Sequence, residues 1–411
     1  MLSSRFASLC LTTLCAAGSL SLGSLAHAQG HYMATDLTDL GGAFQVNSLT
    51  RRNGVVGDAN GYAFLYDQTG FHTLGSLVPG GGSQGWAANS NGQVTGISDI
   101  DFPALSPPHA FLYDSTGMHD LGTLAGGNYS FGQVINEHGV VGGFSTNGTT
   151  GAPSEFHAVY WDSAGIHDLG NYGSYAGVVG INDNNQMLIV AGTSGYLHDA
   201  TGDHLLQTNS GDTISPYALG AGGQVGGYIN GVDSNGDSYQ HAALYDNTGG
   251  HDLGLLTGGS YSAGYGVSDN GMVIGDADVA NGSTHAFLGN KNGLVDLGVL
   301  AGDYSSAYAI NSLGQVVGLS DDGAGSTLGF LYDQGQMYDL NALTSNLNGD
   351  TFDFANFIND NGYIVGTGHD ANGNQHVFAL APTPEPSTLA MLATAGLTGT
   401  LLLKRRKAHR H

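Results

Sequence analysis

The stretch His109–Gly142, HAFLYDSTGMHDLGTLAGGNYSFGQVINEHGVVG, contains the unit from which the rest of the chain is built. Four short apolar runs, HAFLYD, HDLGTL, FGQVIN and GVVG, are separated by two kinds of turn. Asp114-Ser-Thr-Gly117 has Asp first and Gly fourth, as a type I turn favours, and Asn136-Glu-His-Gly139 offers a side chain that hydrogen-bonds its own backbone. The pattern predicts two hairpins in series, which together form one four-stranded antiparallel sheet.

This unit recurs eight times, so an internal repeat organises the chain. The HAF-type strand is found at Tyr62–Asp67, His109–Asp114, His157–Asp162, Gly195–Asp199, His241–Asp246, His285–Asn290, Leu328–Asp333 and His376–Leu380. The Leu of the Asp-Leu-Gly element recurs every 34 to 48 residues, at Leu40, Leu74, Leu121, Leu169, Leu206, Leu253, Leu297 and Leu340. Such intervals match one propeller blade of roughly 40–50 residues better than a helical solenoid.

The phase of the repeat predicts that the blades close into a ring. The first copy, Thr38–Gly41, has an Asp-Leu-Gly strand without a HAF partner, and the last copy, His376–Leu380, has the HAF strand alone. Pairing the two completes one sheet, whereas an open stack leaves two bare edges that invite aggregation. We therefore predict an all-β fold, a β-propeller of about eight four-stranded blades closed by its N- and C-terminal strands. The pattern leaves open whether seven or eight blades close the ring and which strand lies nearest the axis.

The composition suits short strands and excludes a nucleic-acid role. Of 411 residues, 69 are Gly and only 10% are charged, which is typical of tight turns more than of helices. Between residues 29 and 383 the basic residues are Arg51, Arg52 and Lys291, against all but one of the 34 acidic residues. A body so acidic repels phosphate backbones and anionic lipid, so we expect neither nucleic acid nor a lipid surface as its partner.

Residues 1–28 have the pattern of a secretory signal helix. Arg5 precedes an apolar stretch that ends at Leu25, and Ala26-His27-Ala28 is a small-x-small cleavage site, with Ala26 and Ala28 as the residues read by signal peptidase. Both cysteines of the chain, Cys10 and Cys15, lie inside this leader. The mature chain is therefore expected to contain no disulfide.

Residues 382–411 have three parts in a fixed order: Pro384-Glu385-Pro386, a 15-residue apolar segment Leu389–Leu403, and the basic cluster Lys404-Arg405-Arg406-Lys407. The apolar segment predicts a single membrane helix, although it is shorter than the ~20 residues that a full span prefers, and the basic tail is expected to stay cytoplasmic. This end resembles the PEP-CTERM sorting signal of Gram-negative bacteria. The resemblance implies an exosortase-type processing enzyme that recognises Pro384, Glu385 and Pro386. It also implies a transient inner-membrane anchor, followed by display at the cell surface or release outside the cell.

The repeat itself resembles the bacterial extracellular HAF repeat, named for the triplet seen at His109-Ala110-Phe111 and His285-Ala286-Phe287. The resemblance covers nearly all of residues 29–381, which we interpret as one propeller domain between the leader and the sorting segment. Histidine recurs in this domain at the head of the HAF strand and before the Asp-Leu element. One copy per blade spreads these side chains around a ring, so a structural role is expected rather than a shared metal centre.

Two loops offer a calcium hypothesis. Oxygen-bearing side chains alternate in both, as a Ca²⁺ loop requires: Asp233, Asn235 and Asp237 in one, and Asp370, Asn372 and Asn374 in the other. Neither loop carries the distal bidentate Glu of an EF-hand, and polar surface turns explain both equally well. The expected cofactor is therefore none, with calcium as the alternative.

The sequence favours a secreted or surface-displayed, non-catalytic binding or structural module of the extracellular matrix or biofilm, with polysaccharide or a surface protein as partner. Tyr129, Tyr175, Tyr261 and Tyr304 recur at one place in the repeat and are candidates for stacking on sugar rings. The alternative is an extracellular polysaccharide hydrolase or lyase, which needs paired carboxylates. The spacing does not group the acids that fall outside the repeat, which are Asp99, Asp101, Glu137, Glu155, Asp212, Asp322, Asp350 and Asp353.

Overall fold

The computed structural model of the chain describes residues 31–103, 105–148, 155–173, 175–232 and 235–383. Residues Tyr32–Pro382 form one compact unit. The described residues contain 33 β-strands and two short helices, and they begin with β1 (His31–Asp36) and α1 (Leu37–Gly41). The predicted signal helix with Ala26 and Ala28, and the predicted membrane helix after Pro384-Glu385-Pro386, lie outside the described residues. No helix within them is long and apolar enough to cross a membrane.

Seven antiparallel sheets follow one another along the chain, and each is built from four consecutive strands. They are blade 1, β2 (Ala43–Leu49), β3 (Val55–Ala59), β4 (Tyr62–Asp67) and β5 (Gly70–Gly75); blade 2, β6 (Ser83–Ala88), β7 (Val94–Ser98), β8 (His109–Asp114) and β9 (Gly117–Asp120); blade 3, β10 (Ser130–Ile135), β11 (Val141–Asn147), β12 (Glu155–Asp162) and β13 (Gly165–Gly170); blade 4, β14 (Ala176–Ile181), β15 (Met187–Ala191), β16 (Ser194–Asp199) and β17 (Gly202–Leu205); blade 5, β18 (Ile214–Leu219), β19 (Val225–Val232), β20 (Ser238–Asp246) and β21 (Gly249–Gly254); blade 6, β22 (Ser262–Val267), β23 (Val273–Asp278), β24 (Thr284–Asn290) and β25 (Gly293–Gly298); and blade 7, β26 (Ser305–Ile310), β27 (Val316–Asp321), β28 (Thr327–Asp333) and β29 (Gln336–Asp339).

The eighth sheet joins the two ends of the domain. After α2 (Leu340–Leu343) and β30 (Thr344–Ser345), the chain forms β31 (Thr351–Ile358), β32 (Ile364–His369) and β33 (Gln375–Thr383). The strand order is β30-β1-β33-β32-β31, so the N-terminal strand completes the C-terminal blade. The prediction of an eight-bladed propeller closed by its terminal strands is confirmed.

The prediction of which N-terminal residues close the ring is wrong by one element. Thr38–Gly41, the expected strand, lies in helix α1, and β1 just before it is the closing strand. The segment contains Asp-Leu twice, and Asp36-Leu37 takes the place of the repeated element: Leu37 is fully buried, whereas Leu40 is 56% exposed. Asp36 then starts the helix, because its carboxylate accepts the backbone N–H of Thr38 and so caps the first turn.

The hydrophobic core is divided into eight clusters in the described residues, each between two neighbouring blades. The cluster between blades 5 and 6 contains Leu244, Val273 and Phe287, and the one between blades 8 and 1 contains Val365, Val55 and Phe64. The HAF strand supplies both sides of such clusters, because its alternate residues point to the two faces of the sheet. Its aromatic residue is almost fully buried, as seen at Phe64, Phe111, Phe287, Phe330 and Phe378.

The first strand of each blade lies nearest the axis. First strands of neighbouring blades contact each other closely around the ring, whereas the fourth strands of neighbouring blades touch little. Blades that radiate from an axis converge at their inner ends, so this order places the fourth strand outside. The second strand packs tightly against the first through glycine: a Cβ atom added to Gly275 would lie 1.8 Å from the carbonyl oxygen of Ala263.

The antiparallel order gives the ring two distinct faces. Turns between first and second strands and between third and fourth strands lie on one face, which we call the turn face. Connections between second and third strands and between successive blades lie on the other, which we call the loop face. The predicted turn at Asp114–Gly117 is formed as expected, since Asp114 accepts the N–H of Thr116 at 2.8 Å and Gly117 has a φ of +120°.

Asparagines on the turn face link the blades to one another. The side-chain N–H of Asn89 donates to the carbonyl of Asn136 at 3.0 Å, and that of Asn359 donates to Thr50 at 2.9 Å across the ring closure. Thr50 holds this turn position in blade 1, where its hydroxyl accepts the N–H of Gly54. On the same face Arg51 forms a 2.9 Å ion pair with Asp183, which connects blade 1 to the non-adjacent blade 4.

In several blades, a buried serine at the start of the first strand forms hydrogen bonds with the backbone of the preceding blade. The Ser262 hydroxyl accepts the N–H of Ala242 at 2.8 Å and donates to the carbonyl of Gly254 at 2.6 Å. Ser83, Ser130 and Ser305 make the equivalent pair of bonds. At the ring closure the Thr38 hydroxyl accepts the N–H of Val377 in the same way.

Replacing this serine is expected to destabilise the whole ring. Ser262→Ala leaves the buried N–H of Ala242 and the half-buried carbonyl of Gly254 without their partner, which costs about 1–3 kcal/mol of unfolding free energy. Chemical denaturation should show a lower midpoint with an unchanged slope. Ser115→Ala, at an exposed turn position, is the control and should leave the midpoint unchanged. A midpoint for Ser262→Ala equal to that of the control would contradict this role.

Candidate binding site

The recurring histidines pair with aspartates of the same blade. At the head of the HAF strand, Nδ1 of His109 lies 3.0 Å from the Asp120 carboxylate, which belongs to the Asp-Leu element of the fourth strand. His157, His241 and His285 have the same partner in their blades, and His376 pairs with Asp36. The histidines before the Asp-Leu element contact the turn aspartate instead, as His119 does with Asp114 at 3.2 Å. This geometry supports the structural role expected from the sequence.

The calcium hypothesis remains a prediction. Asp233 lies outside the described residues, and Asn235 and Asp237 of the same loop already have interaction partners. In the second loop the Asp370 carboxylate accepts the backbone N–H groups of Asn372 and Asn374, both at 2.8 Å, and also their side-chain amides. This carboxylate therefore caps its own turn on the loop face.

The acids outside the repeat are spread over the ring, and several have local partners. Asp99 accepts the N–H of Gly82 at 2.7 Å, and Glu137 accepts the N–H and hydroxyl of Ser90. Asp353 forms a 2.6 Å contact with His369. Two other carboxylates, which the sequence reading missed, are more unusual because they are buried in the second strand of a blade. They are Asp58 and Asp276, each 6% exposed.

Asp58 and Asp276 occupy equivalent positions, directly after the glycine of the second strand. The same place holds apolar or neutral residues elsewhere, namely Ile97, Phe144, Val190, Tyr228, Leu319 and Thr367. Both residues could have been identified from the sequence, because each is a carboxylate at a strand position that is mostly apolar in the other blades. Asp58 accepts the N–H of Gly85 at 3.0 Å, whereas Asp276 is surrounded by hydroxyl groups.

The surroundings of Asp276 form the candidate site, between blades 6 and 7 and toward the loop face. The Tyr265 hydroxyl donates to one carboxylate oxygen at 3.1 Å, and the Ser306 hydroxyl donates to the other at 2.9 Å. The Tyr261 hydroxyl lies 3.1 Å from that of Tyr265. Asp278 lies two residues along the same strand and accepts hydroxyl hydrogen bonds from Ser260 and Thr284, at 3.0 and 3.1 Å.

A row of aromatic rings continues this site along the inner wall of the ring. Each first strand carries a β-bulge, and the extra residues are Asn47, Trp86, Gln133, Val179, Tyr217, Tyr265, Tyr308 and Asn356. Three of these bulge residues, together with Phe354 of β31, contact one another in series. The ring centroids are 5.4 Å apart for Tyr217 and Tyr265, 6.0 Å for Tyr265 and Tyr308, and 4.6 Å for Tyr308 and Phe354. We call Tyr217, Tyr265, Tyr308 and Phe354 the aromatic row.

The aromatic row is accessible to a ligand. Tyr217 is 56% exposed and Tyr308 is 38% exposed, although both lie on inner strands. The two faces of an inner strand pack against neighbouring blades, so an exposed side chain there faces the central space. Bulges of this kind commonly redirect a side chain next to a functional site. The row therefore offers ring faces and hydroxyl groups to a molecule that enters the ring.

Comparison with known proteins identifies the C-terminal segment. Residues 382–407 match the PEP-CTERM protein-sorting motif. This sorting signal is recognised by exosortase and indicates export and membrane-anchored sorting to the cell surface. No curated protein matches the chain at a significant level.

Solved structures similar to the chain include peptidases. One comes from a study of two prolyl endopeptidases, with 12% identity and a TM-score of 0.48, over 86% of this chain and 55% of that one. Another is a puromycin-hydrolyzing peptidase of Mycobacterium tuberculosis, with 11% identity and a TM-score of 0.36, over 82% of this chain and 58% of that one. The chain thus spans little more than half the length of these structures.

The tyrosines proposed from the sequence fall into two groups. Tyr261 and Tyr304 lie at the candidate site, where burial and the nearby Asp276 carboxylate raise the pKa of Tyr304. Tyr129 and Tyr175 lie at blades 3 and 4, where both rings pack on Phe144 and Phe156 at centroid distances of 4.9–6.1 Å. Their rings belong to a packed cluster, although Tyr175 stays half-exposed.

The charge state of Asp58 is expected to make stability depend on pH. Burial raises the pKa of Asp58 to about 6, against the opposing hydrogen bonds from Gly85 and Asn47. A carboxyl group with a raised pKa binds its proton more tightly in the folded state, so it contributes stability below about pH 4 that is lost as the pH rises through about 6. Asp58→Asn keeps an acceptor for the Gly85 N–H but carries no charge.

Asp58→Asn should therefore raise the Tm relative to the wild type at about pH 7, and the gain should shrink toward about pH 4. Thermal unfolding of both proteins across this range measures the difference. Asp101→Asn is the control: hydrogen bonds from Ser106 and Leu105 lower the pKa of that exposed carboxyl, so the same trend is not expected. A gain that is equal at all pH values would show that Asp58 does not titrate as described.

Proposed function

We propose that this protein is an exported, non-catalytic polysaccharide-binding component of the extracellular matrix, sorted through its PEP-CTERM segment. The observation that carries the proposal is the aromatic row on the inner wall, together with the hydroxyl and carboxylate groups beside it. The apolar face of a sugar ring stacks on aromatic side chains, and its hydroxyls require hydrogen-bonding groups nearby. The row supplies both within one continuous surface.

The sorting segment supports the location of this activity. The PEP-CTERM match covers residues 382–407 and begins at the last two residues of β33, the strand that pairs with β1. In our proposal an exosortase-type enzyme processes the chain at this segment, after signal peptidase has removed residues 1–28. The propeller then reaches the surface or the surrounding polymer. The eightfold recurrence of the HAF-type strand supports assignment of residues 29–381 to the extracellular HAF-repeat proteins.

The arrangement of carboxylates favours binding over cleavage. Hydrolysis of glycosidic bonds generally requires two carboxyl groups about 5–10 Å apart on opposite sides of the scissile bond. The two strongly buried candidates, Asp58 and Asp276, belong to blades 1 and 6, which are not neighbours in the ring. Asp276 and Asp278 do lie close to each other, but both project from the same side of one strand.

A binding experiment tests the proposal. Purified residues 29–381 should bind polysaccharide on a glycan array, and Tyr217→Ala combined with Tyr308→Ala should weaken binding by about tenfold or more, since each aromatic contact is worth about 0.5–1.5 kcal/mol. Leu313→Ala is the control, because Leu313 is 63% exposed but lies in a turn-face loop. No binding to any glycan would contradict the proposal. Shortening of the bound polymer would favour the hydrolase or lyase alternative.

A further inference from the structure

We infer that the site between blades 6 and 7 selects a cationic glycan, a polysaccharide whose sugars carry free amino groups. This inference rests on the proposed function and names the class of sugar. Three features of the structure support it: two carboxylates without a basic partner, a loop face without Lys or Arg, and a hydrogen-bond chain that ends in acceptor lone pairs.

The carboxylates of Asp276 and Asp278 lack the partners that other aspartates of the ring have. In each outer pair a histidine faces the aspartate, as His285 faces Asp296 at 2.9 Å. In the described part of the chain, Asp276 and Asp278 accept hydrogen bonds from hydroxyl groups and form no ion pair with Lys, Arg or His. Burial, and then the nearby Asp278 charge, raise the pKa of Asp276, while the hydroxyl donors oppose the rise. A cationic ligand would relieve this uncompensated negative charge.

The lysine and arginine residues of the domain all lie on the turn face. Arg51 and Arg52 occupy the turn between β2 and β3, and Lys291 occupies the turn between β24 and β25. No other Lys or Arg exists between residues 29 and 383. The loop face, by contrast, carries Asp99, Asp303 and Asp322 in its connections. The potential at the loop-face entrance therefore attracts cations and repels anionic sugars.

The direction of the hydrogen bonds fixes what the site offers to a ligand. An ionised carboxylate only accepts, so the Tyr265 hydroxyl must donate its proton to Asp276. The Tyr261 hydroxyl then donates to Tyr265, and its own oxygen is left with lone pairs alone. Burial raises the pKa of both tyrosines, so both hydroxyls stay protonated at neutral pH. The chain ends as an acceptor, which suits the N–H groups of an ammonium.

The aromatic rings add a second attraction for a positive charge. Ring faces of tyrosine bind ammonium groups through their quadrupole. Tyr265 belongs to both the aromatic row and the hydrogen-bond chain, so an amino group near Tyr261 and a sugar ring on Tyr308 can be held together. A neutral sugar gains the stacking alone. An N-acetylated sugar has an N–H donor but no charge.

Paired oligosaccharides test the inference. We expect glucosamine oligomers with free amines to bind residues 29–381 at least about tenfold more tightly than fully N-acetylated oligomers of equal length, with a preference that falls as salt increases. Tyr261→Phe, which removes the terminal hydroxyl of the hydrogen-bond chain, and Asp276→Asn should each reduce that preference several-fold in isothermal titration calorimetry. Asp58→Asn is the matched control, because it changes the equivalent buried position in blade 1 and should keep the preference.

The outcomes separate this inference from the proposed function. Equal affinity for the amino and acetylated oligomers, or a preference that survives in both Tyr261→Phe and Asp276→Asn, would overturn the inference. If a neutral or acetylated glycan still binds and Tyr217→Ala with Tyr308→Ala abolishes that binding, the proposed function stands without it. Thermal unfolding of every variant confirms that the ring is folded; if Asp276→Asn does not fold, Tyr261→Phe alone decides.

Discussion

Removing the N-terminal strand β1 is expected to abolish the folded ring. A chain that starts at residue 43 leaves β33 without one of its two hydrogen-bonded neighbours, and of the five strands in blade 8 only β31, β32 and β33 stay paired. It also removes Tyr32 and Leu37, which are 3% and 0% exposed and belong to the clusters on the two sides of blade 8. Burial of such side chains contributes about 1.5–3 kcal/mol each, and their sum with the lost strand pairing is comparable to the total stability of a domain.

The experiment compares residues 43–383 with residues 29–383, which keep β1. The longer chain should unfold in one cooperative transition, and the shorter chain should lack it and aggregate through the bare edge of β33. A synthetic peptide of residues 29–42, added during refolding, should restore the transition because it supplies the missing strand. Equal Tm values for the two chains would show that the N-terminal strand does not close the ring.

Replacing Glu385 is expected to change where the protein is found in the cell. Glu385 lies in the Pro-Glu-Pro of the PEP-CTERM match, and we expect the exosortase-type enzyme that reads this segment to require the carboxylate between the two prolines. In Glu385→Ala the apolar segment and basic tail should remain attached, because nothing removes them. Most of the protein should then stay in the inner-membrane fraction instead of reaching the surface or medium.

Cell fractionation with immunoblotting measures this shift. Ser387→Ala, two residues further along, is the matched control and should be released like the wild type. Deletion of residues 382–411 should release the propeller without sorting, which shows that the membrane fraction depends on this segment. Normal surface delivery of Glu385→Ala would contradict the assigned role of the Pro-Glu-Pro motif.

The sequence predicted the architecture because the repeat is local. Each blade consists of consecutive strands, so turn signals such as Asp114–Gly117 and the recurring HAF strand are enough to count the sheets. The closing strand was misplaced because Asp36-Leu37-Thr38-Asp39-Leu40 contains the Asp-Leu element twice, and only burial distinguishes Leu37 from Leu40. Helix α1 also takes over the residues that were expected to continue the strand.

The candidate site was only partly visible in the sequence. Tyr261 and Tyr304 were selected from their recurring place, but Tyr265 and Asp276 were not, because their meeting depends on a bulge and on contacts between two blades. A bulge leaves little trace in a single sequence. The carboxylate after the glycine of the second strand, by contrast, can be recognised in the sequence, since most other blades have an apolar side chain at that position.

The way the ring is closed also bears on how the domain withstands mechanical load. β33 ends at Thr383, directly before the segment that tethers the chain for sorting, and it lies between β32 and β1 in its sheet. A pulling force applied at the tether therefore enters a central strand held on both sides and not a peripheral strand that peels away. A propeller closed in this manner should therefore resist unfolding by a force applied at its C-terminal end.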